Sequence, residues 1–429
     1  MNYNETLNRI HSLNKFGSRP GLDRVKKLLT LMGNPQDSLR FVHVAGTNGK
    51  GSTCQMISSV LCASGYRTGL FISPFITDFC ERIQIDGEPI PQDELSMVAE
   101  YVFSLSDKLY EEGVIITEFE FVMCVAFEYF KRQSCDIVVL EVGLGGELDC
   151  TNVIKPPLCA VITRIGLDHT DILGDTIAAI AHQKCGIIKS GTRVVSSQQT
   201  SQALEVIVKV CKERQTPLVV SDPDDLVLLK DSLEGLEFEY EGHTLRIGLV
   251  GEHQLENAAT ALRVLEVLRA SSGFEGVCDE SVRIGMEKAC NPARFECLAT
   301  DPHVIIDGAH NPDGVGAFCK GVRRYLGDRQ GVLVLGMLRD KDSRTSIKLL
   351  EGLFETVYTV PINNPRALSA PELAQLVSAH FDRVFAADSV EEGFLRAYER
   401  AKQQESFLCV CGSLYMAGEI RPYILQNLS

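Results

Sequence analysis

Apolar positions along this chain follow two rhythms. Short runs rich in apolar and β-branched residues occur at Phe41–Ala45, Ile137–Val142, Leu158–Ile165, Arg193–Ser196 and Leu218–Val220. Between them, apolar residues recur every three or four positions, which predicts helices over Thr53–Ser64, Gln92–Glu112, Glu118–Gln133 and Thr176–Lys189. Apolar strands alternating with helices predict βαβ units and a mostly parallel sheet covered on both faces. From Asp224 to Gly248 the pattern changes. Leu226–Leu229, Leu236–Tyr240 and Thr244–Ile247 are short and interrupted by polar residues, which predicts a small antiparallel excursion. A helix over Gln254–Ser271 follows, then a stretch rich in Gly, Ser, Asn and Pro around Ser272–Pro292. The alternation restarts at Val304–Asp307, Val332–Gly336, Thr356–Pro361, Arg383–Ala386 and Phe407–Cys411. The expected fold class is α/β. A larger domain (1–292) with a mostly parallel sheet and the antiparallel excursion leads through a linker (293–300) to a smaller, doubly wound, Rossmann-like domain (301–429).

Composition narrows the partners. The chain has 429 residues, room for two or three domains. Its formal net charge of −15 argues against a broad basic face for nucleic acid, but not against an anion held in a local pocket. Met1–Thr30 is polar and mixed in charge, without the apolar core of a secretory signal, and no run is long and apolar enough to span a membrane. A cytoplasmic monomer without nucleic-acid or membrane partners is the expectation. The 15 cysteines are odd in number and sit in apolar stretches, as at Cys124, Cys159 and Cys409, with no C-x-x-C. They read as buried thiols, not as a disulfide framework or a zinc site.

One segment carries chemistry of its own. The run FVHVA leads directly into Gly46-Thr47-Asn48-Gly49-Lys50-Gly51-Ser52-Thr53 and then a helical pattern. A strand, a glycine turn and a helix N-terminus form an anion cradle in which backbone N–H groups approach phosphate oxygens and Lys50 adds charge. Ser52 or Thr53 can offer a hydroxyl toward Mg²⁺. The string is a variant P-loop: Val44 stands where the first glycine of G-x-x-x-x-G-K-[ST] belongs, and Gly51 follows the lysine. Glu141 closes an apolar strand ahead of Gly143, Gly145 and Gly146, the place of a metal ligand in a parallel sheet or of a solvated strand-end acid.

GTNGKGST resembles the nucleotide loop of the folylpolyglutamate synthase and dihydrofolate synthase family, within the Mur ligase superfamily. The resemblance recurs in family order at SPFITDFCERI (Ser73–Ile83), ITEFEFVMCVAFEYF (Ile116–Phe130), EVGLGGELDCTN (Glu141–Asn152), GLDH (Gly166–His169) and QKCGIIK (Gln183–Lys189). It continues through GEHQLENAATA (Gly251–Ala261), NPARFE (Asn291–Glu296), DGAHNP (Asp307–Pro312), GMLRDKD (Gly336–Asp342) and CGSLY (Cys411–Tyr415).

The resemblance implies an ATP-dependent ligase that joins L-glutamate to a (tetrahydro)folate through an acyl phosphate, with dihydropteroate a second acceptor in some members. It implies two Mg²⁺ ions held by Ser73, Glu141, His169 and Lys184, the lysine carbamylated by CO₂. Read alone, Ser73 is a Ser-Pro turn, His169 a structural histidine and Lys184 a solvated helix lysine. The resemblance also implies that Asn257, Arg294 and Asp307 hold the nucleotide and that His310 and Ser413 lie near the incoming amino acid. Arg294 suits phosphate through its planar fork, or else forms a structural ion pair. The chain departs from the family at Glu147, usually arginine, at Gln183, often an acid, and at Phe75, a histidine in many relatives. Mur-type cell-wall ligases share the chemistry and form the alternative reading. A P-loop switch is a further one, but the guanine-reading N-K-x-D string is absent.

Overall fold

A computed structural model describes residues 1–13, 21–339 and 342–428. Asp340 and Lys341 of GMLRDKD lie outside the described residues.

The first sheet has eight strands, in the spatial order Glu88–Pro89, Ile83–Ile85, Thr68–Phe71, Ile137–Glu141, Phe41–Ala45, Cys159–Ile162, Arg193–Ser196 and Leu218–Val220. From Thr68–Phe71 onward the strands are parallel; the first two form an antiparallel hairpin at one edge. The central strands are fully buried because helices cover both faces. One layer holds Glu118–Arg132, whose start follows from its sequence. Thr117 accepts from the Glu120 amide and Glu120 reaches back to the Thr117 amide, a capping box that Arg24 joins by pairing with Glu120. The other layer holds Lys50–Ala63 and Glu252–Arg269. The antiparallel excursion is a three-stranded sheet in the order His243–Ile247, Gly235–Tyr240, Val227–Ser232.

The second sheet has six strands, in the order Glu296–Thr300, His303–Ile306, Leu408–Cys411, Gly331–Leu335, Phe354–Thr359, Arg383–Ala386, parallel except for the first. Residues 293–300, expected as a linker, therefore include an edge strand of this sheet. The fold class is as expected: a large, mostly parallel sheet, a small antiparallel one, and a second α/β unit. All 15 cysteines are free and 11 are buried; Cys278 and Cys290 are exposed. Among the described residues no helix is long and apolar enough to cross a membrane.

Several elements escaped the sequence reading. Tyr3–Ser12, Asp23–Leu31, Ser201–Glu213 and Asp279–Lys288 are helices. The first is capped by Asn2, whose side chain accepts from the Glu5 amide. Asp279–Lys288 lies inside the stretch marked by Gly and Pro, and its amphipathic face is buried against Lys50–Ala63. Thr68–Phe71 was missed because TGLF is too short to show a period. In place of Leu158–Ile165, the strand covers Cys159–Ile162, because Arg164 and Ile165 already belong to the loop that reaches the phosphate cradle.

Candidate active site at the carboxyl ends of the strands

Three parallel strands end at one level. Val44 is in register with Glu141 on one side, and Ala45 with Ile162 on the other. Neighbouring strands lie about 5 Å apart, so the loops after residues 45, 141 and 162 emerge side by side. The first loop is fastened to the third. The Thr47 and Asn48 amides both donate to the Arg164 carbonyl, and the Thr47 hydroxyl donates to the carbonyl of Gly166. These two amides are thus committed to protein. The donors left for an anion are those of Gly49, Lys50, Gly51 and Ser52, at the first turn of Lys50–Ala63, where the helix dipole also favours negative charge. Gly49 has φ +87°, and a Cβ there would come within 2.3 Å of Asn257 Oδ1. Glycine is required on both counts, and the contact brings Asn257 to the cradle.

Lys50 Nζ donates to the carbonyls of Gly46 (3.1 Å) and Thr47 (3.2 Å). Lys184 Nζ, from the helix Ile177–Cys185, donates to the same Gly46 carbonyl at 2.8 Å. Two lysine nitrogens thus lie within about 6 Å of each other. Lys184 is only 5% exposed. Burial, with the Lys50 charge beside it, brings its amine down to about 7. Both lysines line a small cleft with Thr47, Gly143, Asp168 and His169.

Glu141 is buried at the end of its strand, where one carboxylate oxygen accepts from the Ser73 amide at 2.9 Å. Burial raises its carboxyl; Lys50, the Ser73 amide and Arg294 oppose that rise. Ser73 and Glu141 are therefore together. His169 adopts a left-handed backbone just before Thr170–Leu173, with its ring 45% exposed, and Nε2 lies 3.9 Å from Asp168 Oδ2. Among the described residues no three His, Cys, Asp or Glu side chains gather to hold a metal. The donors at hand are hard oxygens, the Glu141 carboxylate and the Ser73 hydroxyl, beside an anion cradle. That set suits Mg²⁺, which takes one or two carboxylates, with phosphate and water completing its shell.

The second sheet delivers its own loops to the same edge. Asp307 follows His303–Ile306, and Ser413 follows the neighbouring Leu408–Cys411. Both Asp307 oxygens are engaged, one by the Phe295 amide and the other by the Ala309 amide, each at 2.7 Å, so Asp307 braces the turn that carries Arg294. Ser413 is buried and caps the helix Leu414–Asn427 by accepting from the Tyr415 amide. His310 lies two residues beyond Gly308, which packs on Leu414, and its Nδ1 is 2.9 Å from the Gly308 carbonyl. His310 and Ser413, on loops after neighbouring strands, both lie outside the cleft of the lysines. Asn311 joins the two regions by donating to Asp168 at 3.3 Å.

Four residues were missed at the sequence level. Asp168 lines the cleft, and its signal was the GLDH string itself. Asn291, within NPARFE, donates to the Ser52 hydroxyl at 3.0 Å. His43 and Asp149 form a buried chain beneath the glycine loop. The Thr151 hydroxyl donates to Asp149 at 2.6 Å and must then accept from His43 Nε2 at 2.9 Å, while Asp149 also receives the Leu144 amide. Among the described residues His43 Nδ1 has no partner. Glu147 has an exposed side chain, and its amide donates to the Gln183 carbonyl, so both departures meet through backbone.

Burial, with Lys189 nearby, brings His43 down to about 3. Between about pH 6.5 and 3 the unfolded chain binds a proton there and the folded chain does not, so stability falls on acidification through that window. The loss from this group is on the order of 5 kcal/mol. Acid denaturation of wild type and His43→Gln checks it: the variant should lose less stability across that window, and equal slopes would refute the assignment.

Residues 117–265 match the family model described as the Mur ligase middle domain, and residues 293–414 that of the Mur ligase glutamate ligase domain. The chain is 37% identical over 439 residues to a folylpolyglutamate synthase of Lacticaseibacillus casei, covering 100% of both chains. It is 34% identical over 430 residues to a dihydrofolate synthase/folylpolyglutamate synthase of Bacillus subtilis, covering 98% of each. The solved folylpolyglutamate synthase of Mycobacterium tuberculosis, complexed with ADP and AMPPCP, has a TM-score of 0.89 at 30% identity, over 100% of both chains.

Proposed function

This chain belongs to the folylpolyglutamate synthase and dihydrofolate synthase family of Mur ligases, and from that premise we propose how its residues divide the work of an ATP-dependent ligase that joins L-glutamate to a folate. The terminal γ-carboxylate of the folate attacks the γ-phosphorus of ATP, and the bond to ADP breaks. The amine of free glutamate then attacks the carbonyl carbon of the acyl phosphate, loses a proton, and phosphate leaves. Phosphoryl transfer needs positioning and charge neutralisation more than covalent help.

The observation that carries this division is the convergence of Lys50 and Lys184 on one carbonyl beside the amides of a helix N-terminus. Lys50 and the amides of residues 49–52 hold the β- and γ-phosphates, with Thr47, Asn48 and Gly46 shaping the loop. Asn257 and Arg294 approach the nucleotide from the other side, and Asp307 holds the Arg294 turn. Glu141, Ser73, His169 and a carbamylated Lys184 are the residues that would hold two Mg²⁺ ions. Bound Mg²⁺ supplies charge neutralisation on the transferring phosphoryl group. A carbamate suits Lys184: its amine is held down to about 7, so a neutral fraction exists to take up CO₂, and the carbamate N–H can still donate to Gly46. In His310 the Nδ1–H donates to Gly308, which leaves Nε2 as the basic nitrogen to receive the proton of the attacking amine. Ser413 fixes the helix start beside it. Residues 1–292 thus carry the nucleotide and 301–429 the amino acid, with 293–300 bringing Arg294 between them. The cytoplasm suits a chain with 15 free thiols.

The assay is ADP release with ATP, Mg²⁺, glutamate and one acceptor at a time. Turnover with a reduced folate is expected, and turnover with dihydropteroate decides whether the second activity is present. Activity with a cell-wall peptide precursor and with neither pteridine would overturn the reading.

A further inference from the structure

We propose that Gly418 is a positioning residue for Ser73. It lets the helix Leu414–Asn427 lie directly against the loop that carries Ser73 to Glu141. A glycine inside a helix weakens it relative to alanine, so its presence calls for a packing reason. A Cβ at 418 would lie 1.6 Å from the carbonyl oxygen of Ile76 and 2.7 Å from its carbonyl carbon. Both are backbone atoms, which no rotamer change can clear.

Neither side of this contact can yield cheaply. The helix is seated on the second sheet: Leu414 packs on Gly308, and Arg421 makes two hydrogen bonds to Glu296. The loop is braced by Glu81, whose carboxylate accepts from the amides of Ile76, Thr77 and Asp78. The Ile76 side chain packs against the apolar cluster that includes Met416 and Ala417. A push at Ile76 is therefore passed along a stiff loop to Ser73, three residues earlier, whose amide sits 2.9 Å from Glu141. Ser413 caps the same helix five residues before Gly418, so one rigid element spans the proposed amino-acid side and the Ser73 loop. The catalytic consequence rests on the reading of Ser73 and Glu141 given above; the positioning itself does not.

The test is Gly418→Ala, with Gly316→Ala as control, since a Cβ at 316, also inside a helix, meets nothing within 4 Å. Hydrogen exchange should show the amides of Ser73 and Ile76–Asp78 losing protection about 10-fold in Gly418→Ala, with Leu408–Cys411 and Val390–Gln403 unchanged. In parallel kcat/KM should fall about 10- to 100-fold, and the further fall in a Ser73→Ala background should stay under about 3-fold, because displacing the loop acts through the Ser73 hydroxyl that Ser73→Ala already removes. Gly316→Ala should alter neither readout. If Gly418→Ala does not fold, Ile76→Ala, which keeps the carbonyl but removes the side chain that packs the loop on the cluster of Met416 and Ala417, tests the seating of the loop on this helix and should deprotect Ser73 and Ile76–Asp78. Unchanged protection of the loop, or an effect fully additive with Ser73→Ala, overturns the proposal. Loss of protection in an enzyme inactive on folates would leave the positioning standing and the substrate reading refuted.

Discussion

Lys50→Ala is expected to lower kcat/KM for ATP by about 10²–10³-fold while shifting the melting temperature by no more than about 2 °C. The first part follows from charge. Lys50 is the cation at the mouth of the helix N-terminus, and the phosphoryl group in transfer spreads negative charge over oxygens it can reach. The second part follows from its contacts. Among the described residues its nitrogen donates to the carbonyls of Gly46 and Thr47, at the edge of a cleft where water can replace it. ADP release and thermal unfolding on the same preparation check both. Wild-type turnover in the variant would remove Lys50 from the phosphate site, and a large drop in melting temperature would make its role structural.

Lys184 should matter as much, for a different reason. Two ammonium groups about 6 Å apart repel by about 3 kcal/mol at an effective dielectric near 20. The structure already answers this, since burial and Lys50 together bring Lys184 down to about 7. A carbamate reverses the sign and makes Lys50 a partner. Lys184→Ala is therefore expected to lose activity by about 10²-fold or more, with partial recovery in millimolar acetate or formate, whose carboxylate can occupy the vacated space. Lys184→Arg is expected to be inactive, because a guanidinium stays charged and cannot take up CO₂. Mass spectrometry under CO₂ with native buffer, or density on the Nζ in a nucleotide complex, reads the modification directly. An active Lys184→Arg enzyme, or an unmodified amine in the active complex, would reject it.

What was legible along the chain were features whose causes are local. Strands buried on both faces must be continuously apolar, so Phe41–Ala45 and Ile137–Glu141 announced themselves, and with them a parallel sheet. The glycine cradle was legible because a strand, a turn and a helix start are consecutive in sequence. Most candidate residues were named through resemblance to a family, which carried no geometry. Folding decided what lies beside what. Lys184 reads as a solvated helix lysine until packing brings it to the Gly46 carbonyl, 138 residues away in sequence. His43 looked like one more position in an apolar strand, and only the fold set Thr151 against its ring. Asp307 and Ser413, expected near the ligands, are braces in the fold, because buried backbone amides at turn and helix ends must find acceptors. Gly418 carried no signal at all: its meaning lies in the carbonyl of Ile76 pressed against it, a steric fact between segments more than 340 residues apart in sequence that no local pattern encodes.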